Sequence, residues 1–191
     1  AEQIAGADLV AFSCMTDYAD FTKAIIRNVR RMNPHAYVLW GGIHPIIAPE
    51  DAIEHADAIC TGEGELAFPE FFDAFQDGRD FTETKNFWFN EDGHVKKNGF
   101  LPLMTGEEMA RQPLLEYASG AEKIYEHGKG MVPLTRNHYL SLTNLGYNTV
   151  WSIGCPFKCS FCGNTKFIAN DPKYRRLRHP RQPGCRQSLR W

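Results

Sequence analysis

The stretch YVLWGGIHP, residues 37–45, decides the fold because an apolar run passes directly into a pair of glycines. Four apolar residues in succession, without alternating polar residues, are typical of a strand whose two faces are both buried in a parallel sheet. Upstream, residues 18–32 repeat apolar side chains at helical spacing and stop before Pro34. The sequence therefore predicts a helix followed by a buried strand whose carboxyl end opens into a glycine-rich loop.

The same alternation of strand and helix extends over residues 1–85. Strands are predicted at residues 7–12, 37–40 and 58–60, and helices at residues 18–32, 49–55 and 66–75. This order predicts an α/β fold with a doubly wound, Rossmann-like parallel sheet. Ligands of such sheets bind at the loops beyond the carboxyl ends of the strands. Three loops of this kind are present, at residues 13–15, 41–45 and 62–65.

Beyond residue 85 the predicted organisation changes. Two strands at residues 87–89 and 94–97 predict a hairpin, and residues 100–146, which contain several prolines, predict a linker with one or two short helices. A further strand is predicted at residues 148–153. We therefore predict four regions, namely a partial α/β domain, a hairpin with a linker, the start of a second domain, and an irregular basic tail. They cover residues 1–85, 86–146, 147–180 and 181–191.

Composition and charge exclude several classes of protein. The chain has 191 residues with 43% hydrophobic and 23% charged side chains, which excludes a disordered protein. Residues 173–191 hold seven basic groups and no carboxylate, but no aromatic platform accompanies them, which argues against nucleic-acid binding. No apolar run approaches the roughly 18 residues of a spanning helix, so we expect no membrane span. A chain of this size can build a core without disulfides, and the spacing of its cysteines argues against a disulfide framework, so we expect a reducing, cytoplasmic setting.

Three cysteines at fixed spacing carry the strongest chemical signal. Residues 154–162 read GCPFKCSFC and place Cys155, Cys159 and Cys162 in a C-x3-C-x2-C pattern directly after a predicted strand. Thiolates are soft ligands, and this compact spacing favours a metal or cluster site over a disulfide framework. A structural zinc site needs four ligands, whereas a four-iron cluster on three cysteines leaves one iron open for chemistry. Iron–sulfur is therefore favoured, and a zinc-stabilised domain with a fourth ligand from elsewhere stays open.

GCPFKCSFC resembles the signature of the radical S-adenosylmethionine (SAM) family, in which the three cysteines follow the first strand of a (β/α) barrel. The resemblance implies a [4Fe-4S] cluster on Cys155, Cys159 and Cys162, with SAM chelated to the open iron. It also implies reductive cleavage of SAM to a 5′-deoxyadenosyl radical. An electron donor such as flavodoxin or ferredoxin and a small-molecule or peptide substrate would then be its partners. Phe161 would lie against the adenine of SAM, with simple packing as an equal alternative for this aromatic side chain.

The upstream loops resemble those of the cobalamin-binding domain that precedes the barrel in one large subfamily of these proteins. The resemblance rests on GGIHP at residues 41–45, followed by GEGE at residues 62–65. Glycine lets the backbone approach a flat corrinoid closely. Cobalamin is thus implied as a cofactor, and we expect His44 to shape the glycine-rich loop rather than to bind cobalt. The candidate cobalamin contacts are Ser13, Gly41, Gly42, Gly62, Glu63, Gly64 and Glu65.

We expect the chain to be a fragment of such an enzyme. A (β/α) barrel takes about 250 residues, far more than follow Gly154, and the family's later barrel strands have no counterpart here. We also expect a strand and most of a helix to be missing upstream, and the tail to be a frame-shifted reading. The predicted function is that of a cobalamin-dependent radical SAM enzyme for methyl transfer or carbon-skeleton chemistry. The alternative from another class is a corrinoid- or cluster-binding module without catalytic turnover.

Overall fold

A computed structural model of the chain describes residues 2–113, 121–143 and 152–180. The chain divides into two compact units, which we describe separately. The first unit comprises Ala1–Met104 and Gly154–Leu177, and the second comprises Thr105–Ile153 and Arg178–Trp191. The cysteine segment that begins at Gly154 is therefore part of the same unit as the residues predicted to form the α/β sheet.

The first unit is built on a mixed sheet of five strands in the order β1-β2-β3-β4-β5. The first three strands are parallel, and β4 and β5 join them in antiparallel pairing. The strands are Leu9–Ser13 (β1), Tyr37–Gly41 (β2), Ala58–Cys60 (β3), Phe87–Glu91 (β4) and His94–Lys97 (β5). The predicted α/β class with its Rossmann-like parallel strands is confirmed, and the hairpin of β4 and β5 extends the sheet.

Five helices flank the strands of the first unit. They are Glu2–Ala5 (α1), Ala19–Met32 (α2), Ile43–Ile47 (α3), Pro49–Ile53 (α4) and Gly64–Gln76 (α5). Helix α2 buries Ile26 and Val29, as its apolar spacing predicts. Helix α3 was not predicted because residues 41–45 indicate a glycine-rich loop, and Pro45 is tolerated because it lies in the first turn of the helix.

Both faces of the sheet are covered, which explains the continuous apolar run of β2. Val38 and Trp40 belong to one core cluster together with Ile26 of α2. Leu39 belongs to the other cluster, together with Phe71 of α5. All five side chains are at most 3% exposed. Burial of each large apolar side chain stabilises the fold by about 1.5–3 kcal/mol, so β2 is the central element of the unit.

The hairpin of β4 and β5 is confirmed as predicted, and its turn follows the expected chemistry. Asp92 and Gly93 have φ angles of 51° and 89°, in the left-handed region that glycine and aspartate tolerate best. Phe87 stacks on Phe71 of α5 with the ring centroids 5.1 Å apart. This packing fixes the hairpin on the sheet beside β3.

The second unit contains two helices and a β-hairpin among its described residues. These elements are Gly106–Arg111 (α6), Lys123–Glu126 (β6), Gly130–Pro133 (β7) and Arg136–Thr143 (α7). The short helices predicted for this region are present, whereas the hairpin was not predicted. The strand predicted at residues 148–153 lies largely outside the described residues, and Ile153 forms an isolated bridge with Arg178. The predicted basic tail at residues 181–191 also lies outside them.

Residues 154–177 complete the first unit. They contain a helix at Asn164–Asn170 (α8) and a 3-10 turn at Pro172–Arg175. Phe167 and Tyr174 stack with their ring centroids 4.9 Å apart, which holds the helix and the turn together. The predicted (β/α) barrel is not shown by the described residues. Across the three described ranges, no helix has both the length and the apolar character needed to cross a bilayer.

Candidate functional site

The carboxyl ends of β1 and β2 form the first part of the candidate site. Ser13 pairs with Gly41 in the register of the sheet, and Gly42 follows with a φ of 88°. A Cβ atom on Gly42 would lie 2.6 Å from the backbone nitrogen of Cys14 and 3.0 Å from the Ser13 hydroxyl. Only glycine fits this turn without strain. The turn brings together three of the predicted cobalamin contacts, namely Ser13, Gly41 and Gly42.

His44 holds helix α3 in place directly after this turn. Its Nε2 atom lies 2.8 Å from Oδ2 of Asp51, and its ring stacks on Trp40 with the centroids 5.1 Å apart. The backbone N–H of His44 donates to the carbonyl oxygen of Cys14 at 3.3 Å. These contacts place His44 inside the fold, where it supports the glycine-rich loop.

The loop after β3 forms the second part of the candidate site. A Cβ atom on Gly62 would lie 2.7 Å from Cγ of Asn86. The Asn86 amide donates to the carbonyl oxygen of Glu63 and accepts the backbone N–H of Leu101, both at 2.7 Å. Sequence reasoning missed Asn86 because no local pattern points to it. Its φ of 68° is uncommon outside glycine, and the tolerance of asparagine for that region is the signal that could have found it.

The two carboxylates of this loop have different surroundings. Glu63 accepts the backbone N–H of Met104 through Oε2 at 3.0 Å, so its carboxylate is engaged within the fold. Gly64 is the first residue of α5, and Glu65 stands exposed in the first turn. A negative charge at that end of a helix is favourable. Of the two carboxylates predicted to contact cobalamin, Glu65 is therefore the one that faces solvent.

Two recesses border these loops. The larger, an open depression of about 530 Å³, is lined by Ser13, Gly42 and apolar side chains of α2 and of the loop before it. The smaller, a crevice of about 30 Å³, is lined by Gly62, Glu63 and residues 100–103, together with side chains from α8 and the turn that follows. Of the predicted cobalamin contacts, Ser13 and Gly42 therefore line one recess and Gly62 and Glu63 line the other. The remaining three, Gly41, Gly64 and Glu65, line neither.

The cysteine loop is closed at its base by backbone contacts. Gly154 has a φ of 117°, and a Cβ atom there would collide with the carbonyl oxygen of Arg176. The backbone N–H of Cys155 donates to the carbonyl oxygen of Tyr174 at 3.0 Å. Within the loop, the hydroxyl of Thr165 donates to the carbonyl oxygen of Cys159 at 2.8 Å. The loop is thus fixed at its start by the turn at Pro172–Arg175 and the residue that follows it.

The three loop cysteines supply a donor set of the right kind for an iron–sulfur cluster. Cys159 is exposed, and Cys155 and Cys162 are half-buried. Within the described ranges, no group of three or more His, Cys, Asp or Glu side chains is arranged to hold a metal ion. The three thiols share one loop without forming a ready ligand group, and their role as cluster ligands stays a prediction. Phe161, 92% exposed, extends from the same loop.

The other two described cysteines are parts of the sheet and its edge. Burial raises the pKa of the Cys60 thiol to about 11, so this group is protonated at neutral pH. The Sγ atom of Cys14 accepts the indole N–H of Trp40 at 3.2 Å. Both cysteines therefore serve the fold, and Cys14 does so through a hydrogen bond as well as through packing.

Comparison with known proteins identifies the α/β region. Residues 1–72 match the family model of the B12 binding domain. An uncharacterized methyltransferase of Pyrococcus horikoshii is 25% identical over 162 residues, which are 83% of this chain and 32% of the relative. The radical S-adenosylmethionine methyltransferase TsrM of Kitasatospora setae, solved with tryptophan and a SAM analog, has a TM-score of 0.62. It is 20% identical, and the match covers 94% of this chain and 34% of that one.

A second solved structure, described as cobalamin-dependent, has a similar fold. The S-adenosylmethionine radical enzyme OxsB, solved with aqua-cobalamin and S-adenosylmethionine, has a TM-score of 0.50 and 17% identity over 81% of this chain and 20% of that one. The chain thus spans about a third or less of the length of the relatives it matches. The predicted resemblance to the cobalamin-binding domain is confirmed by the family match over residues 1–72, and the predicted α/β fold is confirmed by this shared fold.

Proposed function

We propose, from the B12 binding domain matched by residues 1–72, that the first unit binds a corrinoid for a cobalamin-dependent radical SAM methyltransferase. The observation that carries this proposal is the Gly42 turn. Its left-handed backbone leaves no room for a side chain, and it stands at the carboxyl edge of parallel strands, where sheets of this class bind their ligands. Because Gly42 also lines the open depression, a flat ligand bound in that depression would lie against this turn.

The recess beside this turn suits a corrinoid in polarity. Its wall includes Met15, Tyr18 and Phe21, whose side chains are 54%, 57% and 66% exposed. Large apolar side chains gathered at an exposed surface mark a binding site. The Ser13 hydroxyl and the backbone of Gly42 add polar groups at its border. Such a surface can cover the apolar face of a corrin ring and still offer hydrogen bonds to its amide rim.

These contacts indicate what the cofactor and the residues of this chain would each contribute. A bound cobalamin would supply the carrier for a methyl group. The residues of this chain would hold the ring against the apolar wall, admit the narrow nucleotide tail beside glycine backbone, and keep water from the covered face. Two of the three relatives are methyltransferases by name, which favours methyl transfer over other chemistry for this site.

The proposal includes Cys155, Cys159 and Cys162 as ligands of a [4Fe-4S] cluster that binds SAM. Support comes from their spacing on one loop that is closed at its base by backbone contacts. The cluster would supply the electron for reductive cleavage of SAM. Phe161 is exposed and free to stack on the adenine. An electron donor such as flavodoxin or ferredoxin, and a small-molecule or peptide substrate, complete the proposal.

Anaerobic binding experiments test both parts. Titration with hydroxocobalamin, followed by its visible spectrum, is expected to saturate for the wild-type chain and to fail for Gly42→Val. The matched control is Gly99→Val, because a side chain at Gly99 meets nothing within 4 Å. After reconstitution with iron and sulfide, the reduced chain is expected to give an EPR signal that SAM alters, and Cys155→Ala is expected to give none.

The other possible results of these binding experiments would indicate a different function. A cluster whose EPR signal is indifferent to SAM would indicate a corrinoid- and cluster-binding module without turnover. Stoichiometric zinc in a colourless protein would indicate a zinc-stabilised domain. Absence of saturable corrinoid binding by the wild-type chain would overturn the proposal.

A further inference from the structure

His44 is a buried polar residue whose side chain is paired with a carboxylate on the next helix. Its side chain is 5% exposed, and Nε2 lies 2.8 Å from the carboxylate of Asp51 on α4. Because the carboxylate can only accept, Nε2 is the protonated nitrogen and donates. The Nδ1 atom has no hydrogen-bond partner among the described residues.

An unpartnered buried nitrogen is unfavourable for folding. An apolar ring of similar size would stack on Trp40 equally well without that penalty. Packing alone therefore does not explain a histidine at position 44, and its bond to Asp51 is the contact that an apolar side chain lacks.

Lys23 holds the other side of Asp51. Its ammonium group lies 2.8 Å from the Asp51 carboxylate, and its side chain is 16% exposed. The bond from Lys23 is the main cause that lowers the pKa of Asp51, with the bond from His44 as a smaller one. The three side chains form a polar chain, Lys23–Asp51–His44, that ties α2 and α4 to α3.

The inner face of His44 meets the turn of the candidate site. Its backbone N–H donates to the carbonyl oxygen of Cys14, and its ring stacks on Trp40, whose indole N–H donates to the Cys14 thiol at 3.2 Å. The backbone of Cys14 is also what leaves no room for a side chain on Gly42. Movement of His44 would therefore loosen the contact between Gly42 and Cys14.

We propose that His44, held by Asp51 and Lys23, is a positioning residue that fixes the Gly42 turn for the nucleotide tail of a corrinoid. This inference rests on the proposed corrinoid binding. The tail is singled out because Ser13 and Gly42 stand on the lining of the open depression beside its apolar side chains. A narrow polar group fits beside Ser13 and Gly42, whereas the broad corrin ring covers the apolar wall.

The test compares hydroxocobalamin with dicyanocobinamide, which has the corrin ring but lacks the nucleotide tail. The variants are His44→Phe, which keeps the stacked ring, and Asp51→Asn, which keeps the shape of the acceptor. Each is expected to raise the Kd for hydroxocobalamin about tenfold, as loss of a hydrogen bond to a charged group would. The Kd for dicyanocobinamide is expected to stay within about twofold. His44→Gln retains an N–H toward Asp51 and is expected to recover most of the affinity.

Asp77→Asn serves as the control, because Asp77 pairs with Arg79 at an exposed site. Circular dichroism confirms that each variant is folded, and if His44→Phe is not, Asp51→Asn and His44→Gln decide the question. Unchanged affinities in both variants overturn the positioning role, and equal losses for both corrinoids do so too, because they indicate a merely structural defect. Failure of the wild-type chain to bind either corrinoid overturns the proposed function itself.

Discussion

Gly163 packs against Ile47 so closely that a Cβ atom at position 163 would lie 2.8 Å from Cδ1 of Ile47. Ile47 is the last residue of α3, which follows the Gly42 turn, and Gly163 comes directly after Cys162. Helix α3, which borders the predicted cobalamin loop, therefore also packs against the end of the cysteine loop. Both candidate cofactor elements share α3 as a common support within the first unit.

Replacement of Gly163 by valine is expected to disturb this shared support. Overpacking of such a contact costs about 1–3 kcal/mol of unfolding free energy, which denaturant unfolding measures. Ile47→Ala in the same chain makes room and should restore much of the loss, as a double-mutant cycle would reveal. Gly99→Val is the control, because it meets open space. Strictly additive effects of the two substitutions would argue against the contact.

Replacement of Gly42 by alanine tests the turn at the centre of the proposal. Gly42 combines a φ of 88° with a clash against Cys14, whereas Gly78 has a φ of 64° and no neighbour within 4 Å of an added Cβ. Gly78→Ala should therefore cost only the backbone strain, about 1 kcal/mol. Gly42→Ala should lose more unfolding free energy than this and should also weaken hydroxocobalamin binding. Equal costs in both variants, with binding intact, would show that the turn tolerates a side chain.

The sequence predicts what depends on local pattern and misses what depends on distant partners. The run from Tyr37 to Trp40 identifies β2 because both faces of that strand are buried. Gly42 is identified for a similar reason, since two glycines after a strand indicate an unusual backbone. The bond between His44 and Asp51 cannot be identified from the sequence. An acidic residue in the first turn of α4 is equally well explained by the helix dipole.

The attachment of the hairpin to β3 shows the same limit. Phe87 and Phe89 predict a strand, but the choice of its neighbour is made by packing on Phe71, a residue on another element. The role of Asn86 depends on Leu101 and on Glu63, which lie 15 and 23 positions away. No window of the sequence contains those partners in a recognisable pattern.

The acid dependence of stability is expected to reflect Asp51. The hydrogen bond from Lys23, with that from His44, holds the pKa of this carboxyl below its ordinary value of 3.8. A carboxyl whose pKa is lowered by folding stabilises the fold above its unfolded pKa, and the stabilisation is lost as pH falls through the folded value.

The unfolding free energy of the wild-type chain should therefore exceed that of Asp51→Asn by a constant amount near neutrality. The difference should shrink below about pH 4. Urea unfolding at a series of pH values measures it. Lys23→Met removes the main cause of the lowered pKa of Asp51, and it should therefore reduce the change of this difference with pH. A difference that is constant down to the acid limit would contradict the assignment to Asp51.

Alkylation with iodoacetamide is expected to separate the cysteines by their surroundings. Cys60 is 7% exposed and its raised pKa of about 11 keeps it protonated at neutral pH, so the native chain should leave it unmodified. Cys159 is exposed and should react first.

Reconstitution with iron and sulfide should then protect Cys159 together with Cys155 and Cys162, because a thiolate bound to iron is no longer free to attack. Peptide mass mapping measures each site, and the denatured chain, in which Cys60 must react, is the control. Reaction of Cys159 at an unchanged rate after reconstitution would remove it from the cluster ligands.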